Sequence, residues 1–226
     1  MRFVGVDPAT TTGFVALDEV GNVLVEEDLR GTGKTVPGGI SEEQLANLGH
    51  SLYNHLHPDD VAVMENAAPG TQRGITTGMI HGVLRYMIHR RKIKPVFLMP
   101  NTVKKYVGVT GWIIEAGKKR RLEGSEKKAH VAAGVFEHFG YSHKSDNVTD
   151  AYIMAKIAEA VYRVQNGGNL DLYTPYQREV IWSIVSPAAK PPKKPKNTNK
   201  PETNKRLGKP AAADSHTYFK EQQFLF

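Results

Sequence analysis

The hydrophobic pattern at the start of the chain predicts a β-hairpin and a third strand. Three segments fit strands, at about residues 2–7, 13–18 and 23–30. The composition of Glu19–Asn22 is typical of a hairpin turn. The first strand ends at Asp7, because Pro8 cannot continue its hydrogen-bonded ladder. The pattern therefore places a carboxylate at a strand end, where it either serves a function or accepts hydrogen bonds from turn amides.

Beyond the hairpin, the pattern alternates helices with short strands. Apolar residues at helical spacing predict helices at about residues 41–57, 73–91, 100–107, 125–140 and 146–164, and a short extra helix within 173–186. Short apolar runs predict strands at 61–64 and 95–98. Residues 108–124 are interpreted as a basic loop that is too long to lack structure. This order predicts an α/β fold with a mixed five-stranded sheet flanked by helices.

The composition changes near residue 187, which predicts two parts. Residues 1–186 are expected to form one domain with a full core. Residues 187–226 are dominated at first by Pro, Lys, Asn, Thr and Ala, which bury too little apolar surface to fold. We therefore expect a disordered basic C-terminal tail.

The overall composition excludes several classes of protein. The 226 residues include no cysteine, so disulfides and thiolate metal sites are excluded. No apolar run approaches the roughly 20 residues that a membrane-spanning helix needs, and the N-terminus lacks the layout of a signal peptide. These features predict a soluble cytoplasmic protein.

Charge is distributed very unevenly along the chain, whose formal net charge is +7. Residues 1–84 carry 4 basic and 11 acidic side chains, whereas residues 85–128 carry 13 basic and 3 acidic ones. Residues 187–210 add 8 basic side chains and 1 acidic one. An acidic half beside a basic segment suggests a polyanion held over a carboxylate site, although solvated surface charge is the commoner origin of a single run.

Four carboxylates occupy comparable boundaries of predicted elements. Asp7 and Glu65 end strands, and Asp146 and Asp150 lie four residues apart at the start of the last long helix. Carboxylates gathered at one sheet edge repel each other, and their oxygen ligands favour Mg²⁺ or Mn²⁺. The plain alternative is a set of unrelated boundary residues, with Asp146 or Asn147 capping the helix.

The sequence resembles the RuvC family of Holliday-junction resolvases, within the RNase H-like superfamily. The matching stretches follow the family's order and cover roughly residues 2–164: Gly5-Val-Asp-Pro with Thr12-Gly13, Met64-Glu65, Pro100-Asn-Thr-Val-Lys104, Glu126-Lys127 and Ser145-Asp-Asn-Val-Thr-Asp-Ala151. The resemblance implies an RNase H-like nuclease domain and a homodimer that nicks four-way junctions symmetrically with Mg²⁺. The expected process is recombination or repair of DNA.

The resemblance also implies roles for individual residues. Asp7, Glu65 and Asp150 match metal ligands, and Lys104 and Lys127 match basic residues near the scissile phosphate. The family usually has Asp or His where this chain has Asn147, so we favour the neighbouring Asp146 as the fourth ligand. We expect two Mg²⁺ ions per site, with Mn²⁺ able to substitute, and products that carry 5′-phosphates.

The basic segment supplies the expected DNA contacts. The candidate DNA-binding residues are Lys105, Lys118, Lys119, Arg120, Arg121 and Lys128. The loop 108–124 and the tail exceed the family's usual pattern and resemble phage members, which cut a broader range of branched DNA. Tyr106 and Trp112 either stack on unpaired bases or pack in the core. Gly74, Gly78 and Gly82 recur every four residues on a helix, which suits either the dimer contact or close packing on the sheet or the DNA.

The last five residues, Gln222-Gln-Phe-Leu-Phe226, match a Gln-x-x-Leu-Phe pattern. This pattern resembles the peptide by which bacterial replication proteins bind the sliding clamp. Leu225 and Phe226 would fill an apolar pocket, and Gln222 would hydrogen-bond at its rim. The alternative is that this apolar end docks on the protein's own core.

Two other functions compete with the nuclease. The stretch around Asp7 also resembles the first phosphate motif of the sugar-kinase, actin and Hsp70 ATPases, but a second repeat with its own motif is not found in the sequence. A catalytically silent protein that binds junctions and recruits partners would keep the basic segment without needing the carboxylates. A metal-dependent nicking assay discriminates among these functions.

Overall fold

The computed structural model describes residues 1–187, except residues 35, 38, 68–73 and 116. Almost all of the predicted tail, including Gln222, Leu225 and Phe226, lies outside the described residues. The domain boundary near residue 187 therefore stays a prediction.

A mixed five-stranded sheet forms the centre of the fold, as predicted. Its strands are β1 (Arg2–Asp7), β2 (Thr11–Leu17), β3 (Val23–Arg30), β4 (Asp60–Glu65) and β5 (Val96–Leu98), in the order β3-β2-β1-β4-β5. The antiparallel strands β1, β2 and β3 form a meander, whereas β4 runs parallel to β1 and β5 parallel to β4. Gly21, with φ +92°, completes the predicted turn between β2 and β3.

Helices cover both faces of the sheet. They are α1 (Glu42–His55), α2 (Gly74–Arg90), α3 (Pro100–Lys105), α4 (Gly124–Phe139), α5 (Asp146–Gln165) and α6 (Pro175–Val185), with a 3₁₀ turn at Leu170–Leu172. Alternation along β1 divides the core in two. Val4 and Val6 pack with α1 and α2, while Phe3 packs with α3, α4, α5 and α6.

Two glycines let α5 lie against the backbone of the sheet. A Cβ atom added to Gly5 would lie 1.9 Å from the carbonyl oxygen of Ala151, and one added to Gly13 would lie 2.0 Å from that of Asn147. Both distances are impossible for a real side chain. The N-terminal half of α5 is therefore fixed over the ends of β1 and β2 by direct backbone contact.

The main departure from the predicted elements lies in the basic segment. Residues expected to form a loop instead form an antiparallel hairpin of β6 (Trp112–Glu115) and β7 (Lys118–Arg121). Gly117, which directly precedes β7 in the connection between these strands, has a φ of +76°. The four consecutive cations of β7 obscure the alternation by which a strand is recognised.

None of the helices in the described ranges is both long enough and apolar enough to cross a membrane.

Candidate active site

Two carboxylates meet where β1 and β4 end. Val6 pairs with Met64 in these parallel strands, so the next residues, Asp7 and Glu65, lie at the same edge of the sheet. Strand alternation turns both side chains toward the face that α5 covers. Asp7 is buried, with 9% of its surface exposed.

Helix α5 brings a third carboxylate to this edge. Ser145 caps the helix by accepting a hydrogen bond from the Val148 amide, so neither Asp146 nor Asn147 serves as the cap. Asp150 precedes Ala151, whose carbonyl oxygen lies against Gly5. The Lys104 Nζ of α3 lies 3.4 Å from the Asp150 Oδ2. One predicted lysine is thus placed directly at the acidic group.

The electrostatics show that these side chains form one interacting group. Burial, with help from Glu65 and Asp150, raises the pKa of the Asp7 carboxyl well above its ordinary value. Burial raises the pKa of Glu65 to about 7, against the opposing charge of Lys104. Burial also raises the pKa of Asp150, again opposed by Lys104. Each carboxylate is therefore costly to ionise without further positive charge.

Lys127, near the start of α4, lies close to the same carboxylates. Burial and then the nearby charges of Lys104 and Arg121 lower its pKa, while Asp150 and Glu65 act in the opposite direction. The structure therefore brings together five of the six predicted catalytic residues: Asp7, Glu65, Asp150, Lys104 and Lys127.

The acidic group fits a divalent cation in its chemistry. The Glu65 Oε2 atom is buried and has no hydrogen-bond partner in the described part of the chain. An uncompensated buried carboxylate oxygen beside two others is the donor set that Mg²⁺ and Mn²⁺ prefer. Within the described ranges, however, no three Asp, Glu or His side chains are already arranged to hold a metal ion. The carboxylates thus form a loose group rather than a preformed cage.

Asp146 lies at the rim of this group. Its Oδ2 is 2.7 Å from the Nζ of Lys128, and both side chains are more than half exposed. A cavity of about 130 Å³ is lined by Asp146 and Asn147 as well as by Asp150. Both sequence candidates for the fourth ligand therefore face the same cavity as Asp150, and the choice of Asp146 stays a prediction.

The other predicted DNA-binding cations have different surroundings. Lys105 forms an ion pair with Glu179 of α6. Arg120 binds Glu126 through two hydrogen bonds of 2.6 and 2.7 Å and also pairs with Glu115. Lys118, Lys119 and Arg121 are exposed along β7. Lys105 and Arg120 are thus already paired with carboxylates of the same chain.

A second polar cluster, which the sequence did not single out as a site, lies beside Glu65. The Arg85 guanidinium of α2 donates a 2.6 Å hydrogen bond to Asn66 Oδ1 and stacks over the Phe97 ring at 4.2 Å. His81, one turn earlier, is buried, and burial lowers its pKa, as does Arg85. Only the helical spacing of His81 and Arg85 could have linked them in the sequence.

Comparison with known proteins identifies the fold. The mixed sheet with an acidic strand edge belongs to an α/β class in which helices cover both faces. Its particular fold is that of RuvC. A structure of Thermus thermophilus RuvC in complex with a Holliday junction substrate is 16% identical, with a TM-score of 0.51, and covers 74% of this chain and 96% of that chain.

A second Thermus thermophilus RuvC structure is 19% identical, with a TM-score of 0.49, and covers 74% of this chain and 97% of that one. No protein-family model and no curated protein matches the sequence. The similarity to the first of these structures confirms, at the level of the fold, the resemblance inferred from the motifs.

Proposed function

We propose that this protein is a Mg²⁺-dependent endonuclease that nicks four-way DNA junctions, and other branched DNA, to leave 5′-phosphates. The observation that carries this proposal is the buried Glu65 oxygen, which has no hydrogen-bond partner among the described residues and lies beside Asp7 and Asp150 at one sheet edge. The RuvC-like fold supports the choice of branched DNA, because one similar structure contains a Holliday junction substrate. Recombination or repair is the process that such cleavage would serve.

The residues would divide the work as follows. Asp7, Glu65 and Asp150, with Asp146 as a fourth candidate, would hold the divalent cations. When bound, such ions stabilise charge on the attacking and leaving oxygens of a phosphodiester. Lys104 and Lys127 would bind the scissile phosphate beside the acidic group and orient it. The close seating of α5 on Gly5 and Gly13 fixes Asp150 relative to Asp7.

A nicking assay on a synthetic four-way junction tests this function. We expect cleavage with Mg²⁺ and none with EDTA. Asp7→Asn, Glu65→Gln and Asp150→Asn should each reduce nicking to background while junction binding persists or tightens slightly, because a negative charge near the phosphate is lost. Full activity of Asp7→Asn at saturating Mg²⁺ would refute the assignment. Binding without any cleavage by the wild type would instead favour the silent junction-binding protein.

The two lysines require a separate measurement. Lys104→Ala and Lys127→Ala should lower the single-turnover nicking rate more than the junction affinity, because their contacts lie near the reacting phosphate. Lys105→Ala is a matched control, since its side chain pairs with Glu179 on α6. Equal losses of affinity in all three variants would remove the special role of Lys104 and Lys127.

We also propose that α2 forms the contact of a homodimer, which places two sites on a two-fold axis. Ile75, Met79 and Tyr86 are exposed along one side of this helix, with Ile75 84% exposed. A Cβ atom added to Gly78 or Gly82 would meet nothing within 4 Å in the described structure. These two glycines therefore do not serve packing on the sheet, and their open face allows a second helix to approach.

Sedimentation velocity at micromolar concentration tests the dimer. The wild type should sediment as a dimer, and Gly78→Leu with Gly82→Leu should sediment as a monomer whose circular dichroism spectrum shows the same helix content. A monomeric wild type, with and without junction DNA, would contradict the proposal.

The C-terminal peptide is proposed to bind a bacterial sliding clamp, which would keep a phage or cellular nuclease near DNA in the bacterial cytoplasm. As a coil, a tether of roughly 30 residues would span about 30 Å and would raise the local concentration of the nuclease. Calorimetric titration of the clamp with residues 214–226 should show binding that Leu225→Ala with Phe226→Ala abolishes. Absence of binding, with a lower melting temperature after deletion of residues 218–226, would favour self-docking.

A further inference from the structure

The β6–β7 hairpin has two chemically different faces. Directly opposed residues of an antiparallel pair share a face, and the register pairs Trp112 with Arg121 and Ile114 with Lys119. These four residues form one face, which we call the outward face. The next pairs along the hairpin, Ile113 with Arg120 and Glu115 with Lys118, form the other face.

The second face holds the hairpin on the domain. Ile113 packs against the core cluster that contains α4 and α5. Arg120 joins Glu115 on the hairpin to Glu126 on α4. A two-stranded hairpin is marginally stable by itself, so these contacts account for its defined position. Arg120 is consequently a structural cation, although nothing in the sequence separates it from its basic neighbours.

The outward face is exposed and combines apolar with cationic side chains. Trp112 is 51% exposed and Ile114 is 80% exposed. The Nζ of Lys119 lies 5.2 Å from the centre of the Trp112 ring. Tyr106, the other aromatic candidate for stacking on bases, is instead buried in the core, with 1% exposed. The structure thus leaves Trp112 as the aromatic ring of this segment that a ligand can reach.

The hairpin begins next to the acidic site. The Leu122 amide donates a 2.9 Å hydrogen bond to the Gly111 carbonyl at its base. A Cβ atom added to Gly111 would lie 3.7 Å from the Nζ of Lys127. Four-residue strands rise about 10 Å. The hairpin therefore starts beside Lys127 and extends about 10 Å from its base.

We propose that the outward face of the hairpin binds unpaired nucleotides of branched DNA, with Trp112 stacking on a base and Lys119 and Arg121 contacting phosphates. An exposed aromatic ring among cations is the combination that binds single-stranded nucleic acid regardless of sequence. Ile114 extends the apolar surface on which a base can lie. The inference rests on the proposed function and adds to it the element that distinguishes a branch from intact duplex.

The two tryptophans of the chain allow a direct test, because Trp182 lies on α6 and is also exposed. Trp182→Phe leaves Trp112 as the single fluorescent tryptophan. Titration in EDTA with a four-way junction that carries unpaired nucleotides at the branch should quench this fluorescence. A fully paired duplex of equal length should quench it much less. Equal quenching by both DNAs, or none by either, would overturn the stacking role.

Affinity measurements provide the matched comparison. Trp112→Ala should weaken binding to the branched DNA about 5- to 150-fold, the range known for loss of base stacking, while Trp182→Ala should leave it unchanged. Trp112→Phe should recover most of the affinity. Lys119→Ala and Arg121→Ala should each flatten the salt dependence by about one phosphate contact on branched DNA. Urea midpoints close to that of the wild type would show that each variant still folds.

The outcomes separate this inference from the proposed function. Normal nicking by Trp112→Ala with normal affinity would remove the inference and leave the nuclease intact. Quenching of Trp112 by branched DNA in a protein that never nicks would keep the inference and remove the nuclease. If Ile114→Ala changed only the oligomeric state in sedimentation, the outward face would be a protein contact, and the inference would fail.

Discussion

The two ends of β4 bury carboxylates in opposite ways. At the start of the strand, Asp60 accepts hydrogen bonds from Arg2 at 2.8 and 2.9 Å and from the His57 amide at 2.8 Å. At its end, Glu65 has a buried oxygen without a partner in the described structure, and burial raises its pKa to about 7. The Asp60 carboxylate is compensated by residues of the fold. The Glu65 carboxylate lacks such a partner among the described residues and is free to bind a ligand.

The difference teaches how to separate structural from functional charge. Arg2 and Asp60 are directly paired across β1 and β4, and the Asp60 side chain is fully buried. Five residues later, the same two strands end in Asp7 and Glu65, and the charge of Glu65 helps to raise the pKa of Asp7. Burial alone does not distinguish the two ends. What distinguishes them is whether the buried carboxylate has a compensating hydrogen-bond or ion-pair partner among the described residues.

The largest expected effect comes from removing the ion pair between Arg2 and Asp60 at the start of β4. Arg2→Ala should destabilise the protein by about 3 to 5 kcal/mol, because it leaves the Asp60 carboxylate buried and unpaired. Urea denaturation followed by circular dichroism measures this loss. Arg178→Ala is the control, since its pair with Asp171 is exposed and should contribute less than about 1 kcal/mol. Equal effects of the two substitutions would show that Asp60 is not critically paired.

A divalent cation should compensate the negative charge of the carboxylates at the end of β4. At a free Mg²⁺ concentration 100 times the dissociation constant, the wild type should gain about 2.7 kcal/mol of stability by mass action. Glu65→Gln should lose most of this gain, and NaCl of the same ionic strength should not reproduce it. The same Mg²⁺-dependent shift of the urea midpoint in Glu65→Gln would mean that the ions bind elsewhere.

The pH dependence of stability without metal should differ between wild type and Glu65→Gln. The folded-state pKa of Glu65, about 7, lies above its ordinary value of 4.5, so the folded protein binds this proton more tightly than the unfolded chain. The resulting stability is present below about pH 4.5 and is lost as pH rises through about 7. Asp7 and Asp150, whose pKa values are also raised, act in the same direction.

In EDTA, Glu65→Gln should therefore be more stable than the wild type at pH 8, by on the order of 1 to 3 kcal/mol. The two proteins should converge at about pH 4, below the ordinary pKa of 4.5. Urea unfolding at both pH values provides the measurement. A Glu65→Gln variant that is less stable than the wild type at pH 8 would show that the carboxylate is already satisfied.

The smallest effect on stability is expected at Asp146. Because its pair with Lys128 is exposed, Asp146→Asn should change the free energy of unfolding by less than about 1 kcal/mol. If Asp146 is the fourth metal ligand, the same substitution should nevertheless lower the nicking rate at limiting Mg²⁺. Asn147→Ala is the matched comparison, and a greater loss of nicking in that variant would transfer the role to Asn147.

The sequence predicted the sheet and its helices because their boundaries have local causes. Asp7 before Pro8, the capping box of Ser41 with Gln44, and the apolar spacing of α1 appear in the structure as expected. The ends of β1 and β4 and the start of α5 were enough to nominate Asp7, Glu65 and Asp150. Strand ends are readable in a single sequence, since each requires only a short pattern.

The ion-pair partners of the basic residues, and which side chains are buried or exposed, were not predictable from such local patterns. The pairs of Lys105 with Glu179 and Arg120 with Glu126 depend on how helices pack, which no spacing rule reveals. The hairpin was missed because Lys118–Arg121 has neither apolar alternation nor high strand propensity. Tyr106 and Trp112 looked equivalent in the sequence, yet only the fold makes one of them core and the other surface.

The seating of α5 on Gly5 and Gly13 has a consequence for protein engineering. Main-chain contact between α5 and the two glycines helps to set the spacing between Asp7 and Asp150. The apolar cluster on the opposite face, where Val4 and Val6 meet α1 and α2, is therefore open to redesign. A more heat-resistant variant could be sought there without altering the geometry of the acidic edge.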